Sequence, residues 1–397
     1  MPKISLRGQE MPPSPIRKLN PFANEAKAKG VEVFHLNIGQ PDIETPPAIL
    51  DAVRNFDETV LEYSPSQGFA SYREALAMYY KKNDISVSPD EIIITTGGSE
   101  AISFAFNACL NPGDEIIVPE PFYANYNGFA RAAGVNIVPI FSSIETGFAL
   151  PPIEEFERSI TARTKGIMIC NPNNPTGYMY SEEELKVLRD ICIEYDLFLF
   201  SDEAYREFCY DGLKHTSVLS LEGLDEHAIL LDTISKRYSA CGARIGALVT
   251  KNAAVYEAVL KFAQARLSPP TLEQVLAEAA TKLPDDYFAE VLKSYQSRRN
   301  VLVKRLRAIE GVVCPEPKGA FYVMASLPVD DSERFCEWML SEFSHNNKTI
   351  MMAPGNGFYA TEGLGSSEVR LAYVLNEERI NEAMDCLEAG LKAYNAL

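Results

Sequence analysis

The chain has 397 residues, of which 46% are hydrophobic, so it exceeds one ordinary core and should divide into two domains. Its 37 lysines and arginines against 55 aspartates and glutamates give a net charge of −18, which argues against nucleic acid and anionic membranes as partners. No apolar run approaches the roughly 20 residues of a membrane span, and Met1–Glu10 lacks the apolar stretch of a signal peptide. We therefore expect a cytoplasmic protein that acts on a small molecule.

Cysteine and histidine usage argues against metal and disulfide chemistry. The eight cysteines form no CxxC pair and mostly lie inside apolar segments, which is typical of buried free thiols. The four histidines are scattered and none has metal-ligand spacing with another. We expect no metal site.

The first forty-odd residues are rich in proline, so they cannot form a long continuous element. From residue 91 onward, short apolar strands alternate with amphipathic helices, a pattern that predicts an α/β fold with a mostly parallel sheet. The predicted strands are Glu91–Thr95, Glu115–Val118, Val135–Ile140, Lys165–Cys170, Leu197–Ser201, Ala228–Leu231 and Arg244–Val249.

The regular alternation of strands and helices ends after the helical stretch Ala253–Leu267. A long charged helix is predicted near Tyr287–Ile309, and a last helix at Asn376–Tyr394. Between them lie three short strands: Ala320–Met324, Lys348–Ala353 and Val369–Val374. We predict a large domain of residues 47–281 and a smaller α+β domain built from residues 1–46 and 282–397.

A glycine-rich segment, Thr95-Thr96-Gly97-Gly98-Ser99-Glu100-Ala101, joins the first of these strands to a predicted helix at Ala101–Leu110. A helix that begins this way presents free backbone N–H groups and a positive dipole end to an anion such as phosphate. Glu100 can contribute only its backbone N–H, because its carboxylate would repel the anion.

Two further segments follow strands. Cys170-Asn171-Pro172-Asn173-Asn174-Pro175-Thr176-Gly177 has the composition of a turn, and one of its X-Pro bonds is a candidate for the cis form. Ser201-Asp202-Glu203-Ala204-Tyr205 places Asp202 at the carboxyl end of a strand, where ligands bind in open α/β sheets. Asp202 could cap a helix, or it could pair with a protonated ring nitrogen of a cofactor.

The most informative segment is Thr233-Ile234-Ser235-Lys236-Arg237-Tyr238-Ser239-Ala240-Cys241-Gly242-Ala243-Arg244-Ile245-Gly246, which follows a buried strand. A neutral lysine amine at that place can bond the aldehyde of a cofactor. The hydroxyls of Thr233 and Ser235, with Arg244, suit a phosphorylated aldehyde.

These segments, in this order, resemble the pyridoxal-phosphate-dependent class I aminotransferases of fold type I, and within them the bacterial aspartate aminotransferases. Thr233 departs from the pattern, which usually has Ser or Gly there. The resemblance runs from about Gly39 to Arg370. It implies a large domain whose mostly parallel seven-stranded sheet lies between helices, with pyridoxal 5'-phosphate as the cofactor.

The resemblance also assigns roles. Lys236, Asp202 and Tyr205 are the implied catalytic residues, with Asp202 on the ring nitrogen and Tyr205 on the ring hydroxyl. The residues implied to bind the phosphate are Gly98, Ser99, Glu100, Thr233, Ser235 and Arg244, and Asn174 is implied to bond the ring oxygen. In Pro121-Phe122-Tyr123, which follows the predicted strand Glu115–Val118, Tyr123 is implied to stack on the ring, with Phe122 as the alternative. Gly39, Asn174 and Arg370 are implied to contact substrate, with Arg370 gripping the α-carboxylate. Tyr63 matches a tyrosine that reaches the phosphate of a neighbouring subunit, which implies a homodimer with shared active sites.

The expected reaction moves an amino group from an L-amino acid, with aspartate as the expected donor, to a 2-oxo acid, with 2-oxoglutarate expected, by a ping-pong mechanism. In animal-type aspartate enzymes, an arginine a few residues ahead of an Asn-Pro-Pro binds the distal carboxylate of the substrate. Arg266 lies closer than that to Pro269 and Pro270. Arg17 and Lys18 are therefore other candidates for binding this carboxylate. Alternatives are an aminotransferase for aromatic or neutral amino acids and a carbon–sulfur lyase of the same fold. A DNA-binding regulator would need a basic surface, and a nucleotide-binding dehydrogenase would need a GxGxxG motif. This sequence has neither feature.

Overall fold

A computed structural model describes residues 2–284 and 286–397. Its strands are β1 Glu32–His35, β2 Ile92–Thr95, β3 Glu115–Glu120, β4 Asn136–Phe141, β5 Thr164–Cys170, β6 Phe198–Asp202, β7 Ala228–Thr233, β8 Gly246–Val249, β9 Tyr322–Ser326, β10 Lys348–Met351, β11 Ala353–Pro354 and β12 Glu368–Ala372. Its helices are α1 Leu6–Glu10, α2 Asn20–Ala28, α3 Pro47–Arg54, α4 Ala70–Lys82, α5 Gly97–Cys109, α6 Asn125–Ala133, α7 Ile153–Ser159, α8 Glu182–Glu194, α9 Ile234–Arg237, α10 Ala253–Arg266, α11 Thr271–Ala280, α12 Tyr287–Arg307, α13 Ser332–Ser341 and α14 Glu377–Tyr394.

The central sheet has seven strands in the order β2-β8-β7-β6-β5-β3-β4. Only β8 runs against its neighbours; the other adjacent pairs are parallel. This confirms the predicted α/β class and the mostly parallel sheet of seven strands. The parallel order follows from the alternation of strands with helices along the chain, since a parallel pair needs a crossover connection.

Successive strand residues pack into two different cores, one on each face of the sheet. In β6, Phe200 belongs to the core that includes Phe106 of α5, whereas Leu199 belongs to the core that includes Leu188 of α8. Helices therefore cover both faces. Strands β7 and β8 are buried along their whole length, and β6 is buried at all but its two end residues. This burial explains why the strands are continuous apolar runs rather than alternating ones.

The carboxyl ends of β2, β3, β5, β6 and β7 lie at one edge of the sheet because these strands run in the same direction. The segments that follow them begin at Thr96, Pro121, Asn171, Glu203 and Ile234. The antiparallel β8 starts at this same edge, with Arg244 two residues before it. Every predicted cofactor segment except Tyr63 therefore meets at a single edge.

Two smaller sheets lie outside the central one. β1 pairs in parallel with β10, which joins the proline-rich N-terminal segment to the C-terminal part of the chain, as expected. β11, β12 and β9 form an antiparallel sheet with Arg370 in β12. The predicted strand Lys348–Ala353 is in fact divided, with β10 and β11 in different sheets. The domain boundaries at residues 46/47 and 281/282 stay a prediction.

Two boundaries differ from prediction in ways that shape the site. Helix α5 begins at Gly97 instead of Ala101, so the glycines themselves form its first turn. Strand β8 begins at Gly246 instead of Arg244, because Arg244 has left-handed backbone angles (φ 54°, ψ 45°) that no strand accommodates. Within the described residues, no helix is long and apolar enough to cross a membrane, and no three His, Cys, Asp or Glu side chains group as metal ligands.

Candidate active site

Lys236 lies in α9, a single helical turn that begins directly at the carboxyl end of β7. Its Nζ donates a hydrogen bond to the carbonyl oxygen of Gly39 at 2.9 Å and lies 3.7 Å from Cys241 Sγ. The cap of this turn is Thr233, whose side chain accepts a hydrogen bond from the Ser235 backbone N–H. The turn therefore holds the lysine at the sheet edge while its amine points toward the N-terminal segment.

Asp202 is the last residue of β6, the strand adjacent to β7. Its Oδ2 accepts a hydrogen bond from Tyr126 Oη at 2.9 Å, and its Oδ1 accepts one from the Ala204 backbone N–H at 3.2 Å. Burial raises the pKa of this carboxyl to about 6, while the hydrogen bonds and the charge of Lys236 act in the opposite direction. The site therefore contains a carboxylate that gains from a cationic partner.

The hydroxyls of Thr233 and Ser235 lie beside the first turn of α5. Thr233 Oγ1 is 2.7 Å from Ser235 Oγ, and a Cβ at Gly98 would stand 3.7 Å from Thr233 Cβ. The backbone N–H groups at the start of α5 and two hydroxyls thus share one small volume. Helix N-termini combined with hydroxyls are a common phosphate-binding arrangement.

Arg244 completes this cradle. Its guanidinium packs on Gly97, where a Cβ would meet Arg244 Nη2 at 2.5 Å, and Gly97 has a positive φ of 74°. Only glycine satisfies both conditions. Arg244 forms no ion pair with any residue that the structure describes, and its side chain is exposed, so its charge is available to an anion. Thr233, Ser235, Gly98, Ser99 and Arg244 are therefore brought together, as predicted.

Glu100 takes a position that the sequence did not reveal. Its carboxylate accepts a hydrogen bond from the Thr96 backbone N–H at 2.7 Å and pairs with Arg266 Nη1 at 2.6 Å. The pair neutralises a negative charge that would otherwise oppose an anion at the start of α5. Arg266 is therefore already paired with Glu100, so it is not a free cation for the distal carboxylate of a substrate.

Arg370 is fully buried, with 1% of its surface exposed. Its Nη1 donates to Asn174 Oδ1 at 2.8 Å and its Nη2 to the Asn37 carbonyl oxygen at 2.5 Å, while Nε has no hydrogen-bond partner in the described part of the chain. No carboxylate among the described residues pairs with it, and burial lowers the pKa of the guanidinium. A buried arginine without a counter-ion is costly, so the guanidinium of Arg370 is suited to binding an anion.

Tyr322 connects the cofactor segments with the N-terminal one. Its hydroxyl lies 3.0 Å from Tyr205 Oη, and Arg370 stacks over its ring at 4.5 Å. A Cβ at Gly39 would overlap with the Tyr322 ring and hydroxyl, so only glycine fits there. Asn174 Nδ2 reaches Tyr205 Oη at 3.5 Å. Gly39, Asn174, Tyr205 and Arg370 thus gather around one tyrosine.

Tyr123 follows β3 and is partly buried. Its hydroxyl accepts a hydrogen bond from Asn125 Nδ2 at 2.7 Å, and its ring meets that of Tyr126 edge to face at 5.4 Å. Burial raises the pKa of its phenol to about 12, with Tyr322 and Asp202 adding to the shift. The ring therefore lies near the carboxylate of Asp202, where a stacking aromatic is expected.

Tyr63 does not join the other predicted residues. It is 80% exposed, in a segment with Val60 at 65% and Leu61 at 62% exposure. The Glu62 carbonyl oxygen accepts a hydrogen bond from Thr271 Oγ1, which holds the segment on the surface beside α11. An exposed aromatic and two exposed aliphatic side chains in four residues are typical of a surface that another chain covers.

Sequence reasoning missed four residues of the site: Asn37, Tyr126, Cys241 and Tyr322. Cys241 lies inside a segment already singled out and Asn37 lies two residues before Gly39, but nothing in their type indicated a contact. Tyr126 stands three residues after Tyr123, the spacing of one helical face, which could have indicated a shared environment. Tyr322 lies in an apolar strand, where an aromatic residue is normally interpreted as part of the hydrophobic core.

Comparison with known proteins finds relatives that match nearly the whole chain. The family model for aminotransferase class I and II matches residues 31–387. The aspartate aminotransferase of Bacillus subtilis (strain 168) is 33% identical over 404 residues, covering 99% of this chain and all of the relative. Aromatic-amino-acid aminotransferase 2 of Thermococcus litoralis is 33% identical, covering 98% of both chains. The structure of an alanine aminotransferase from Pyrococcus furiosus matches with a TM-score of 0.90 and 32% identity, over 98% of this chain and 100% of that one.

Fold, site and relatives define an enzyme, a transaminase. The chain belongs to the class I and II aminotransferase family, whose model matches nearly the whole length of the chain. This confirms the resemblance drawn from the motifs.

Proposed function

We propose that this enzyme uses pyridoxal 5'-phosphate to move an amino group from an L-amino acid, with aspartate as donor, to 2-oxoglutarate by a ping-pong mechanism. One observation carries the proposal: the amine of Lys236, the partly buried carboxylate of Asp202 and the buried guanidinium of Arg370 lie around the same edge of the central sheet, which Arg370 reaches through Asn174. Arg370 has no counter-ion among the described residues. The three groups match the aldehyde and ring nitrogen of the cofactor and the carboxylate of the substrate.

The residues present fit the cofactor. Lys236 would hold its aldehyde, and the start of α5 with Ser235 and Arg244 would hold its phosphate. The unusual Thr233 serves the cradle through its hydroxyl, which also anchors to the Ile245 carbonyl oxygen at 2.9 Å. When bound, the cofactor supplies an electron sink for the charge that is left on the substrate α-carbon.

Asp202 would keep a proton on the ring nitrogen, because its partly buried carboxylate gains more from a cation than from a neutral ring. Tyr126 fixes the orientation of this carboxylate through Oδ2. Tyr205 and Asn174, on the loops after β6 and β5, would bond the oxygen substituent of the ring, and Tyr123 would stack on its face.

Lys236 is the base that moves the proton at the α-carbon of the amino acid. The Gly39 carbonyl oxygen accepts its hydrogen bond, so the amine stays at the site when it is free. Arg370 orients the substrate through its α-carboxylate, with Asn174 holding the guanidinium from one side and Asn37 from the other. The rings of Tyr322 and Phe358 lie 4.5 and 4.8 Å from the guanidinium and shield it from water.

The choice of donor rests on the residue that reads the substrate side chain. Arg266 is paired with Glu100 and Lys18 with Glu333, whereas Arg17 is exposed and pairs with no described side chain. Ile16, adjacent to Arg17, accepts a hydrogen bond from Asn37, the residue whose carbonyl holds Arg370. Arg17 is therefore the cation that we propose for a second carboxylate. The B. subtilis relative carries the name of an aspartate enzyme.

Other donors have support of their own. The T. litoralis relative is named for aromatic amino acids and the P. furiosus structure for alanine. A half-reaction screen separates these: the purified holoenzyme is mixed with aspartate, phenylalanine, tyrosine or alanine, and loss of its visible cofactor band is followed. We expect aspartate to react fastest, with 2-oxoglutarate restoring the band. Pyruvate and ammonia released from cystathionine would instead indicate a carbon–sulfur lyase.

The same proposal includes a cytoplasmic homodimer with shared active sites. Val60, Leu61 and Tyr63 form an exposed patch that a second copy would cover, and Leu267 beside them is 53% exposed. Ser66 Oγ donates to the Leu267 carbonyl oxygen at 2.6 Å, so the two segments form one surface. Sedimentation of the holoenzyme at micromolar concentration tests the dimer; a monomer with full activity would contradict it.

A further inference from the structure

Five charged side chains lie buried behind the catalytic loops, and the mechanism above does not use them. We name this group, Glu203, Arg206, Glu207, Asp232 and Arg237, the ionic clamp. Their side chains are between 0 and 5% exposed. Burying five charges is costly unless they are closely paired, so an arrangement of this kind needs a reason.

Arg237 and Arg206 join the loop after β6 to the end of β7. Arg237 Nη2 donates to Asp232 Oδ1 at 2.7 Å and to Oδ2 at 2.9 Å, and its Nε lies 2.8 Å from Glu207 Oε1. Arg206 Nη2 lies 3.4 Å from Glu203 Oε2 and 3.5 Å from Asp232 Oδ2. Each arginine therefore touches one carboxylate from each of the two segments.

Helix α4 supports the clamp from a third direction. Tyr80 Oη donates to Asp232 Oδ2 at 2.7 Å, and Tyr79 Oη donates to Glu207. The Arg237 guanidinium stacks over the Tyr79 ring at 4.4 Å, and that of Arg206 lies 5.0 Å from the centre of the Tyr80 ring. Two charge-assisted hydrogen bonds to Asp232 and the contact with Tyr79 restrict Arg237 to one conformation. Arg206 makes no hydrogen bond through its guanidinium with the described residues and is held by its two ion pairs and the contact with Tyr80.

The clamp alternates along the chain with the residues of the site. Glu203 follows Asp202, Arg206 follows Tyr205, Arg237 follows Lys236, and Asp232 precedes Thr233. Asp232 Oδ1 also accepts the Thr233 backbone N–H at 2.7 Å, so the clamp fixes the backbone of the cradle directly. A shift of either arginine would move a catalytic neighbour on the other side of the same backbone.

We propose that the ionic clamp is a positioning element that sets the place of Lys236 relative to Asp202 and Tyr205. It rests on the proposed roles of these three residues. Lys236 and Asp202 come from neighbouring strands, and the pairs Arg237–Glu207 and Arg206–Asp232 cross between the segments that carry them. Arg237 is the positioning residue adjacent to the lysine.

The test compares Arg237→Lys with Arg299→Lys in the holoenzyme. Arg299 is an equally buried arginine that pairs with Asp211 at 2.7 Å and is not part of the clamp. Lysine keeps the charge and loses the planar fork at both places. Three quantities are measured: stability to urea, kcat against KM for the amino-acid donor, and the pH midpoint of the visible cofactor band.

We expect both variants to lose stability, but only Arg237→Lys to lower kcat, by about 10- to 100-fold with little change in KM, and to shift the pH midpoint. A purely structural role would lower stability and leave kcat and the midpoint as in the wild type, which would overturn the proposal. Glu207→Gln, which keeps the shape and removes one ion pair, decides the matter if Arg237→Lys does not fold. It should lower kcat and shift the midpoint in the same way; unchanged values would overturn the proposal.

Failure of this inference is distinguishable from failure of the proposed function. Borohydride reduction of the wild-type holoenzyme, followed by peptide mapping, reports whether the cofactor is on Lys236 at all. If it is on Lys236 and the clamp variants behave like Arg299→Lys, the positioning role alone is wrong. If it is elsewhere, the assignment of Lys236 is wrong.

Discussion

Lys236 Nζ and the Gly39 carbonyl oxygen are 2.9 Å apart although 197 residues separate them in the chain. This hydrogen bond places the proline-rich N-terminal segment over Lys236. Gly39 can approach so closely because any side chain there would overlap with Tyr322. The segment before the large sheet is thus part of the site, and glycine is required for steric reasons.

Gly39→Ala tests this relationship. The new methyl group must displace Tyr322 or the N-terminal segment, so we expect the KM for the amino-acid donor to rise about tenfold, with the cofactor still bound. Gly128→Ala is the control, since a Cβ there would stand 3.7 Å from Met11 Sδ, an ordinary contact. Equal steady-state constants for the two variants would show that the contact of Gly39 with Tyr322 does not matter.

Arg370→Lys tests the proposed grip on the substrate. Lysine keeps the charge but cannot donate two parallel hydrogen bonds, so we expect the KM for the donor to rise roughly 10- to 100-fold, equivalent to about 1.4 to 2.7 kcal/mol. Steady-state kinetics measure it. Arg379→Lys, at a half-exposed pair with Glu32, should have no effect. A normal KM in Arg370→Lys would mean that the substrate carboxylate binds elsewhere.

The raised pKa of Asp202 predicts a pH dependence of cofactor binding to the apoenzyme. Below about pH 6 this carboxyl is protonated and cannot pair with a cationic ring nitrogen, so affinity should fall as the pH decreases through that value. The cofactor phosphate titrates in the same range, so the measurement is the difference between wild type and Asp202→Asn. The asparagine variant should bind more weakly above pH 6 and should approach the wild type below it. Identical curves would argue against the assigned role.

Hybrid dimers test whether Tyr63 acts across an interface. One subunit carries Lys236→Ala and the other Tyr63→Ala. If Tyr63 serves the neighbouring site, the site that retains Lys236 receives an intact Tyr63 from its partner, and its affinity for the cofactor should equal that of the wild type. The Tyr63→Ala homodimer should bind roughly tenfold more weakly, because it loses a hydrogen bond to a charged group. If the hybrid dimers bound the cofactor as weakly as the Tyr63→Ala homodimer, Tyr63 would act in the site of its own subunit.

Much of the fold and site could be predicted from the chain alone. Buried parallel strands are continuous apolar runs, and their carboxyl ends carry polar segments, so Asp202 and Lys236 could be placed at one edge from sequence. The contacts that hold them could not, because they join distant segments: Tyr126 to Asp202, Tyr322 to Gly39, and Arg266 to Glu100. Nothing local in the chain indicates that Arg206 and Arg237 are buried, since arginine is usually exposed.

The central claim is that the cofactor is bound to Lys236, and borohydride reduction with peptide mapping tests it most directly. We predict one modified peptide, containing Lys236, with the mass of the cofactor added. Lys236→Ala should lack both the adduct and the visible band and should lose turnover by several orders of magnitude, whereas Lys251→Ala, at a surface pair with Asp225, should keep all three. An adduct on another lysine, no adduct in freshly loaded protein, or normal transamination by Lys236→Ala would contradict the account.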